Sequence, residues 1–216
     1  FSNVKAEDFI KKIICKKIYP KLIFVSGNFK FGNKRKGNVN LLKKFGKKYK
    51  YKLINISPFK YKKKMVSSSA IRRYLQKGNI LLANKLLSRN WSIDGYVIKG
   101  KKIGRKLGYR TCNIKIKNYI LPKPGIYAVK ISIKNDKKIY KGVAYLGSRP
   151  TFKGKEVLLE INIFGIKKNL YNKKLKVYFI KFIRIDKRFK NPSELIKQMN
   201  KDVISAKKGL KGKIAV

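Results

Sequence analysis

Histidine is absent from all 216 residues. Its absence excludes the usual zinc sites, and both the Ser-His-Asp and the Cys-His arrangements, within this chain. Any general base must come from a carboxylate, a lysine or a tyrosine. Carboxylates are scarce, nine in all. The two cysteines, Cys15 and Cys112, lie far apart and follow no secretory leader, so no disulfide framework is indicated. No apolar run approaches the ~18 residues that a membrane span requires. The opening segment is Lys-rich and amphipathic and does not read as a signal peptide. A soluble, cytoplasmic monomer without a membrane partner is expected, and the first residue, Phe1, points to a chain cut at its N-terminus.

What is abundant is lysine. Lys and Arg number 58, for a formal charge of +49, yet only nine of the 58 are arginine. Such a charge would ordinarily imply nucleic acid or an anionic surface as partner. Arginine, however, is the residue that reads bases and phosphates bidentately. The lysines run from end to end among abundant Ile, Asn, Tyr and Phe. These residue types share A/T-rich codons, so a mutationally biased genome explains the whole composition. A basic nucleic-acid-binding protein is the alternative from another functional class, and aromatics at 12% would supply stacking platforms. Against it stand the lack of a recognisable nucleic-acid motif and of a segregated basic stripe, so no specific nucleic-acid partner is expected.

The texture of the chain changes once. Residues Ala6 to Ile18 carry Phe9, Ile10, Ile13, Ile14 and Ile18 at helical spacing. Leu22 to Val25 reads as a buried strand, Asn38 to Phe45 as a helix and Tyr51 to Ile56 as a second strand. Ser67 or Ser68 is placed to cap a helix through Leu75, and Gly78-Asn79 separates it from another through Leu87. From Trp91 the period becomes two. Ser92 to Gly100, Ile126 to Ile133, Ile139 to Leu146, Val157 to Phe164 and Leu175 to Ile183 all read as strands, with a hairpin turn at Asn135-Asp136. Five or six short strands with glycine-rich turns imply a small antiparallel barrel. Pro192 to Lys208 puts Leu195, Ile196, Met199, Val203 and Ile204 on one face, a helix expected to close the barrel. The boundary is expected near Ser88-Arg89-Asn90, giving units 1–88 and 89–216.

The chemistry concentrates in Gly104-Arg-Lys-Leu-Gly-Tyr-Arg-Thr-Cys-Asn113. Glycines beside hydroxyl and amide side chains suit a loop that cradles phosphate, because backbone N–H groups can approach the anion closely. Thr111 and Asn113 offer hard oxygen ligands to Mg²⁺. Alone, the pattern also fits any glycine-rich turn between strands.

Among the carboxylates, Glu7 and Asp8 begin a helix, Asp136 sits in a hairpin turn, and Glu194 and Asp202 lie on a lysine-rich helix. Asp94 starts a strand, Glu156 follows a loop, and Asp186 is placed to pair with Arg184 or Arg188. Each has an ordinary structural reading. Glu160 differs, because it lies within Val-Leu-Leu-Glu-Ile-Asn-Ile-Phe on the face of Leu158, Asn162 and Phe164. A carboxylate there is costly unless it is partnered or functional; an exposed edge-strand glutamate is the other reading.

Further segments follow in order: Gly125-Ile-Tyr-Ala128, Gly142-Val-Ala-Tyr-Leu-Gly-Ser-Arg-Pro-Thr-Phe152, Leu159-Glu-Ile-Asn-Ile-Phe164, Asn169-Leu-Tyr171 and Leu175-Lys-Val177. Arg184, Arg188-Phe189, Gln198 and Asp202 complete the set. Together they resemble the riboflavin kinase domain of the bacterial bifunctional riboflavin kinase/FMN adenylyltransferases (FAD synthetases). The resemblance implies a six-stranded Greek-key barrel with a C-terminal helix, moving the γ-phosphate of ATP to riboflavin to give FMN. It implies Thr111 and Asn113 as ligands to phosphate and Mg²⁺, and Glu160 as the catalytic carboxylate. Gly100, Arg105, Gly108, Tyr127, Arg149 and Arg184 are the implied contacts to nucleotide or flavin. The sequence departs from the family pattern at Arg110 (proline), Cys112 (alanine), Asn162 (histidine), Asp186 (glutamate) and near Gly165, where a polar residue is missing.

The first 88 residues resemble the C-terminal half of the adenylyltransferase domain of the same family, a partial Rossmann-like α/β nucleotidyltransferase unit. Gly27-Asn-Phe-Lys-Phe-Gly32 with Arg35 and Gly37 carries that likeness, as does Val66-Ser-Ser-Ser-Ala-Ile-Arg72. The latter implies Ser67, Ser68 and Arg72 as nucleotide contacts. The family's HxGH motif has no counterpart in a chain without histidine, and FAD formation by this chain alone is not expected.

Overall fold

The computed structural model describes residues 3–62, 64–100, 104, 107–116, 118–151, 154–166 and 168–211. They form two compact units that divide between Val66 and Ser67.

In the first unit, helix α1 (Ala6–Asp8) runs on as a π-helix, Phe9–Ile18, closed by the Tyr19 N–H on the Ile14 carbonyl at 3.1 Å. The wider π turn aligns residues five apart, so Ile10 and Cys15 are both buried. Strand β1 (Leu22–Ser26) leads to the two-residue strands β2 (Lys30–Phe31) and β3 (Gly37–Asn38), which pair with each other. Helix α2 (Val39–Tyr49) begins at Asn38, whose side chain accepts the Leu41 N–H at 2.9 Å. Strand β4 (Lys52–Ile56) then pairs with β1 in parallel, Leu22 opposite Lys52. A parallel pair needs a crossover, and α2 supplies it. The core gathers Ile10, Val25, Phe31, Leu42, Phe45 and Tyr51. Strands β5 (Lys60–Tyr61) and β6 (Lys64–Met65) complete the unit.

The second unit opens with helices α3 (Ser68–Gln76) and α4 (Ile80–Leu87), capped by Ser67 and Asn79 as their sequences imply. Strands β7 (Ser92–Ile98), β8 (Cys112–Lys115), β9 (Gly125–Ile133), β10 (Ile139–Thr151), β11 (Gly154–Ile163) and β12 (Lys174–Arg184) follow, then helix α5 (Pro192–Gly209). The strands close into a barrel in the order β10-β11-β8-β7-β12-β9, every pairing antiparallel. Closure leaves no free sheet edge, so Glu160 is not on an edge strand. Period two is obeyed inside: Ile93, Val97, Ile114, Tyr127, Val129, Ile131, Leu159, Ile161, Leu175 and Val177 fill the lumen. The same alternation points Phe179 inward and Ile180 outward, where it packs with Ala128, Ala206 and Leu210; a register shift after Phe179 then sets Lys181 opposite Ala128 and Phe182 opposite Tyr127.

By compactness α3 and α4 fall with the barrel, because Leu75, Ile80 and Ala83 join its core. Asn84 reinforces this: its amide donates to the Phe179 carbonyl at 2.8 Å, and its oxygen accepts the Trp91 N–H at 2.8 Å. The closing helix differs from the apolar face that was read. It buries Asp202 and Ala206, while Ile204 is 54% exposed.

Candidate active site

Strand register assembles the site. One row of paired positions crosses all six strands: Ile98 opposite Asn113, Asn113 opposite Glu160, Glu160 opposite Tyr145, Tyr145 opposite Ile126, and Ile126 opposite Arg184. Directly opposed residues of an antiparallel pair share a face, their Cβ atoms about 5 Å apart. Leu159 and Ile161 flank Glu160 and point inward. The row therefore lies on the outer surface, and α5 packs over its β9, β10 and β12 side.

Two cavities meet there. The larger, about 380 Å³, is lined by Glu160, Tyr145, Asn162, Arg184 and Asp186, and on the α5 side by Leu195, Met199, Asp202 and Val203. The other, about 310 Å³, is lined by Gly100, Arg110, Cys112, Lys168, Asn169 and Tyr171. Thr111 and Asn113 line both.

Asn113 is 6% exposed, and its Oδ1 has no hydrogen-bond partner among the described residues. A buried amide oxygen left without a donor is costly unless something else occupies it, and a hard cation does so well. Gly100 makes the position possible, because a Cβ there would stand 2.1 Å from the Asn113 amide nitrogen. Gly104 turns the chain back onto itself, its carbonyl accepting the Leu107 and Tyr109 N–H groups at 3.1 and 2.7 Å. A Cβ at Gly104 would lie 3.2 Å from the Thr111 hydroxyl. Gly108 has φ +83°, which only glycine adopts without strain.

Two of the sequence departures meet in this loop. The Asn162 side-chain amide donates to the Arg110 carbonyl at 2.8 Å. Where the fixed φ of proline is missing, a hydrogen bond from the barrel wall holds the backbone. Cys112 fits the small position, its thiol donating to the Ile161 carbonyl at 3.5 Å. Burial pushes that thiol up to about 12.

Arg184 grips Asp202 bidentately, Nε and Nη2 donating at 2.8 and 2.6 Å. The Gln198 amide adds a third bond to Asp202 at 3.0 Å. Asp202 is thus a buried partner in the site wall and not an ordinary helix-surface acid. Asp186 does not pair with Arg184; it accepts the Tyr145 hydroxyl at 2.9 Å. The Tyr109 hydroxyl donates to Asn200, joining the glycine loop to α5.

Of the residues expected in the site, Glu160, Thr111, Asn113, Gly100 and Arg184 come together. Tyr127 does not. It is wholly buried inside the barrel, edge-on to Phe179 and Phe182 at 4.9 and 5.2 Å, with its hydroxyl on the Lys123 carbonyl. Inward direction on β9 makes it a core residue. Arg105 lies outside the described residues, as does the side chain of Arg149, which the backbone places on β10. Ser67 caps α3 through a 3.2 Å bond from the Ala70 N–H, Ser68 begins that helix, and Arg72 lies exposed on it; none of the three lines these cavities.

Residues 87–210 match the riboflavin kinase family (Flavokinase), and residues 1–70 match the FAD synthetase family. The chain is 44% identical over 211 residues to the bifunctional riboflavin kinase/FMN adenylyltransferase of Buchnera aphidicola subsp. Schizaphis graminum, covering 96% of this chain and 67% of that one. It belongs to the bifunctional riboflavin kinase/FMN adenylyltransferase family. The Escherichia coli K12 member is 32% identical over 207 residues, covering 96% of this chain and 66% of its own length. The chain thus spans about two thirds of the length of these relatives. A crystal structure named as a macrolide-efflux protein from Streptococcus pneumoniae superposes with a TM-score of 0.83 at 29% identity, covering 94% of this chain and 64% of that one. Among the described residues no helix is long and apolar enough to cross a membrane. The nucleic-acid-binding alternative finds no support in these matches. The closed six-stranded barrel with its C-terminal helix is the riboflavin kinase fold that the resemblance implied.

Proposed function

We propose that the family's riboflavin kinase chemistry is carried out here on the Glu160–Asn113 row, with riboflavin in the cavity under α5 and ATP on the side of Gly100 and Arg110. The observation that carries the reading is that the carboxylate and the unpartnered amide oxygen stand directly opposite each other on β11 and β8. Leu195, Met199, Val203 and Phe189 give the larger cavity the apolar wall that a flavin ring needs. Thr111 and Asn113, shared by the two cavities, stand where donor and acceptor must meet. Their oxygens fit Mg²⁺, which when bound would neutralise charge on the transferred phosphoryl group. Glu160 takes the proton from the riboflavin 5′-hydroxyl as that oxygen attacks the γ-phosphorus, and ADP leaves with the bridging oxygen. In-line transfer asks mainly for positioning and charge neutralisation, so few catalytic side chains suffice. A cytoplasmic, monomeric enzyme acting on small molecules is part of the same reading, as is a nucleotide contact for Ser67, Ser68 and Arg72 in the adenylyltransferase portion.

Glu160→Gln tests the assignment. The amide keeps size and hydrogen bonding but is too weak a base, so FMN formation should fall by ~10²–10⁴-fold with riboflavin binding nearly intact. The control is Glu7→Gln, on an exposed helix of the first unit. If Glu160→Gln retained more than about a third of the parent kcat, the carboxylate would not be the base.

A further inference from the structure

Tyr145 is the neighbour of Glu160 in the row, and its hydroxyl already has a partner. The ring lies back along β10 over Gly147, where a Cβ would stand 2.0 Å from the hydroxyl oxygen and 2.2 Å from Cζ. Glycine at 147 is therefore what lets the ring lie flat. So placed, the hydroxyl donates to Asp186 Oδ2 at 2.9 Å, and both residues line the larger cavity. The other carboxylate oxygen of Asp186 accepts the Lys187 N–H at 2.8 Å. Asp186 thereby links the barrel wall to the backbone of the connection between β12 and α5.

That connection forms part of the cavity. Its first carbonyl, of Ile185, accepts Arg184 Nη1 at 2.8 Å, and the same guanidinium holds Asp202 of α5. At its far end Asn191 caps α5. Between these two anchors, Lys187 and Phe189 reach the cavity lining. The Arg184 guanidinium stands 6.0 Å from the Phe189 ring centre. The position of Phe189 relative to Glu160 thus depends on how the middle of the segment is held.

We propose that Tyr145 is a positioning residue for the acceptor: its hydroxyl tethers Asp186, and with it segment 185–190, at the width the flavin cavity needs beside Glu160. The proposal rests on the reading that the cavity under α5 takes riboflavin. Tyr145 is not the proton acceptor, because its hydroxyl is committed to Asp186. Burial, reinforced by the carboxylates of Asp186 and Glu160, also pushes it up to about 12, so it stays a donor across the neutral range.

Tyr145→Phe removes the hydroxyl and keeps the ring over Gly147. A hydrogen bond to an ionised acceptor shifts an equilibrium by about tenfold. The riboflavin KM and the Kd from flavin fluorescence quenching should therefore rise about tenfold, while kcat changes less than about twofold and the KM for ATP holds. Asp186→Asn should show the same split. The double variant should be no worse than the more affected single, since both remove one tether. A merely structural role would instead lower Tm and move both KM values and kcat together. Val203→Trp, which fills the cavity from α5, separates the two layers of the argument. Should Val203→Trp leave riboflavin affinity intact, the cavity assignment is wrong. Should Val203→Trp abolish binding while Tyr145→Phe and Asp186→Asn leave the riboflavin KM unchanged, the tether alone is refuted.

Discussion

The Arg184–Asp202 pair offers the sharpest test of how α5 is held to the barrel. The side chains are 15% and 6% exposed, so neither charge is well hydrated. Removing one partner of a buried pair costs about 3–5 kcal/mol, because the other charge is left uncompensated. Asp202→Leu leaves Arg184 with its bond to the Ile185 carbonyl and a little solvent, which points to the lower end, about 3 kcal/mol. For a chain of this size 1 kcal/mol shifts Tm by about 2–4 °C, so a fall of about 6–12 °C is expected. Trp91 is the one tryptophan, packed edge-on against Phe179 at 5.0 Å, so its fluorescence reports unfolding of the barrel unit. Arg184→Met combined with Asp202→Leu should recover most of the loss, since replacing both charges by apolar groups is often neutral. The same double variant should remain a poor kinase, because both side chains line the cavity proposed for riboflavin. A fall of less than about 2 °C in Asp202→Leu, or a double variant as unstable as the single, would refute the reasoning.

Two further outcomes follow from the geometry. Gly100→Ala should raise the KM for Mg·ATP about tenfold or more with little change in Tm, because the new Cβ must displace the Asn113 amide from 2.1 Å; an unchanged KM in steady-state assays would contradict the metal–nucleotide role. Burial raises the Cys15 thiol and pushes Cys112 up to about 12, so both should resist a disulfide reagent at pH 8 until the chain unfolds. The folded protein keeps thiol protons that the unfolded chain releases above about 8.5, so stability should decline as pH rises from there towards 12. Urea midpoints at pH 7.5 and 10 check the direction, and rapid labelling of both thiols in the native protein would contradict it.

Local order was readable from residue spacing, and pairing was not. Period two placed five barrel strands, helical spacing placed α5, and cap and breaker residues placed α3 and α4, because each signal is written in neighbouring residues. Strand β8 escaped, being only Cys112–Lys115 and continuous with the glycine loop that drew the reading towards phosphate. The π form of Phe9–Ile18 escaped as well. Its apolar residues satisfy 3.6 spacing nearly as well as the wider turn, and what separates the two is the hydrogen bonding, as in the bond from the Tyr19 N–H to the Ile14 carbonyl.

The site repeats this lesson at the level of chemistry. Glu160 stood out because a carboxylate between Leu159 and Ile161 breaks the apolar texture of its strand. Nothing local in the sequence says that Asn113, 47 residues earlier, is its cross-strand partner; that fact resides in the β8–β11 register. Asp202 shows the converse. Lysines surround it in sequence, so it reads as a solvated helix acid, yet the bidentate bond from Arg184 buries it. Leu195, Met199 and Val203 repeat every four residues and read as a core-facing stripe, yet they line a cavity. A stripe that packs and a stripe that faces a cavity are the same pattern in sequence. What distinguishes them is the volume across from it, and that volume is set by Tyr145, Asp186 and Arg184, contributed by β10, the connection after β12, and β12 itself.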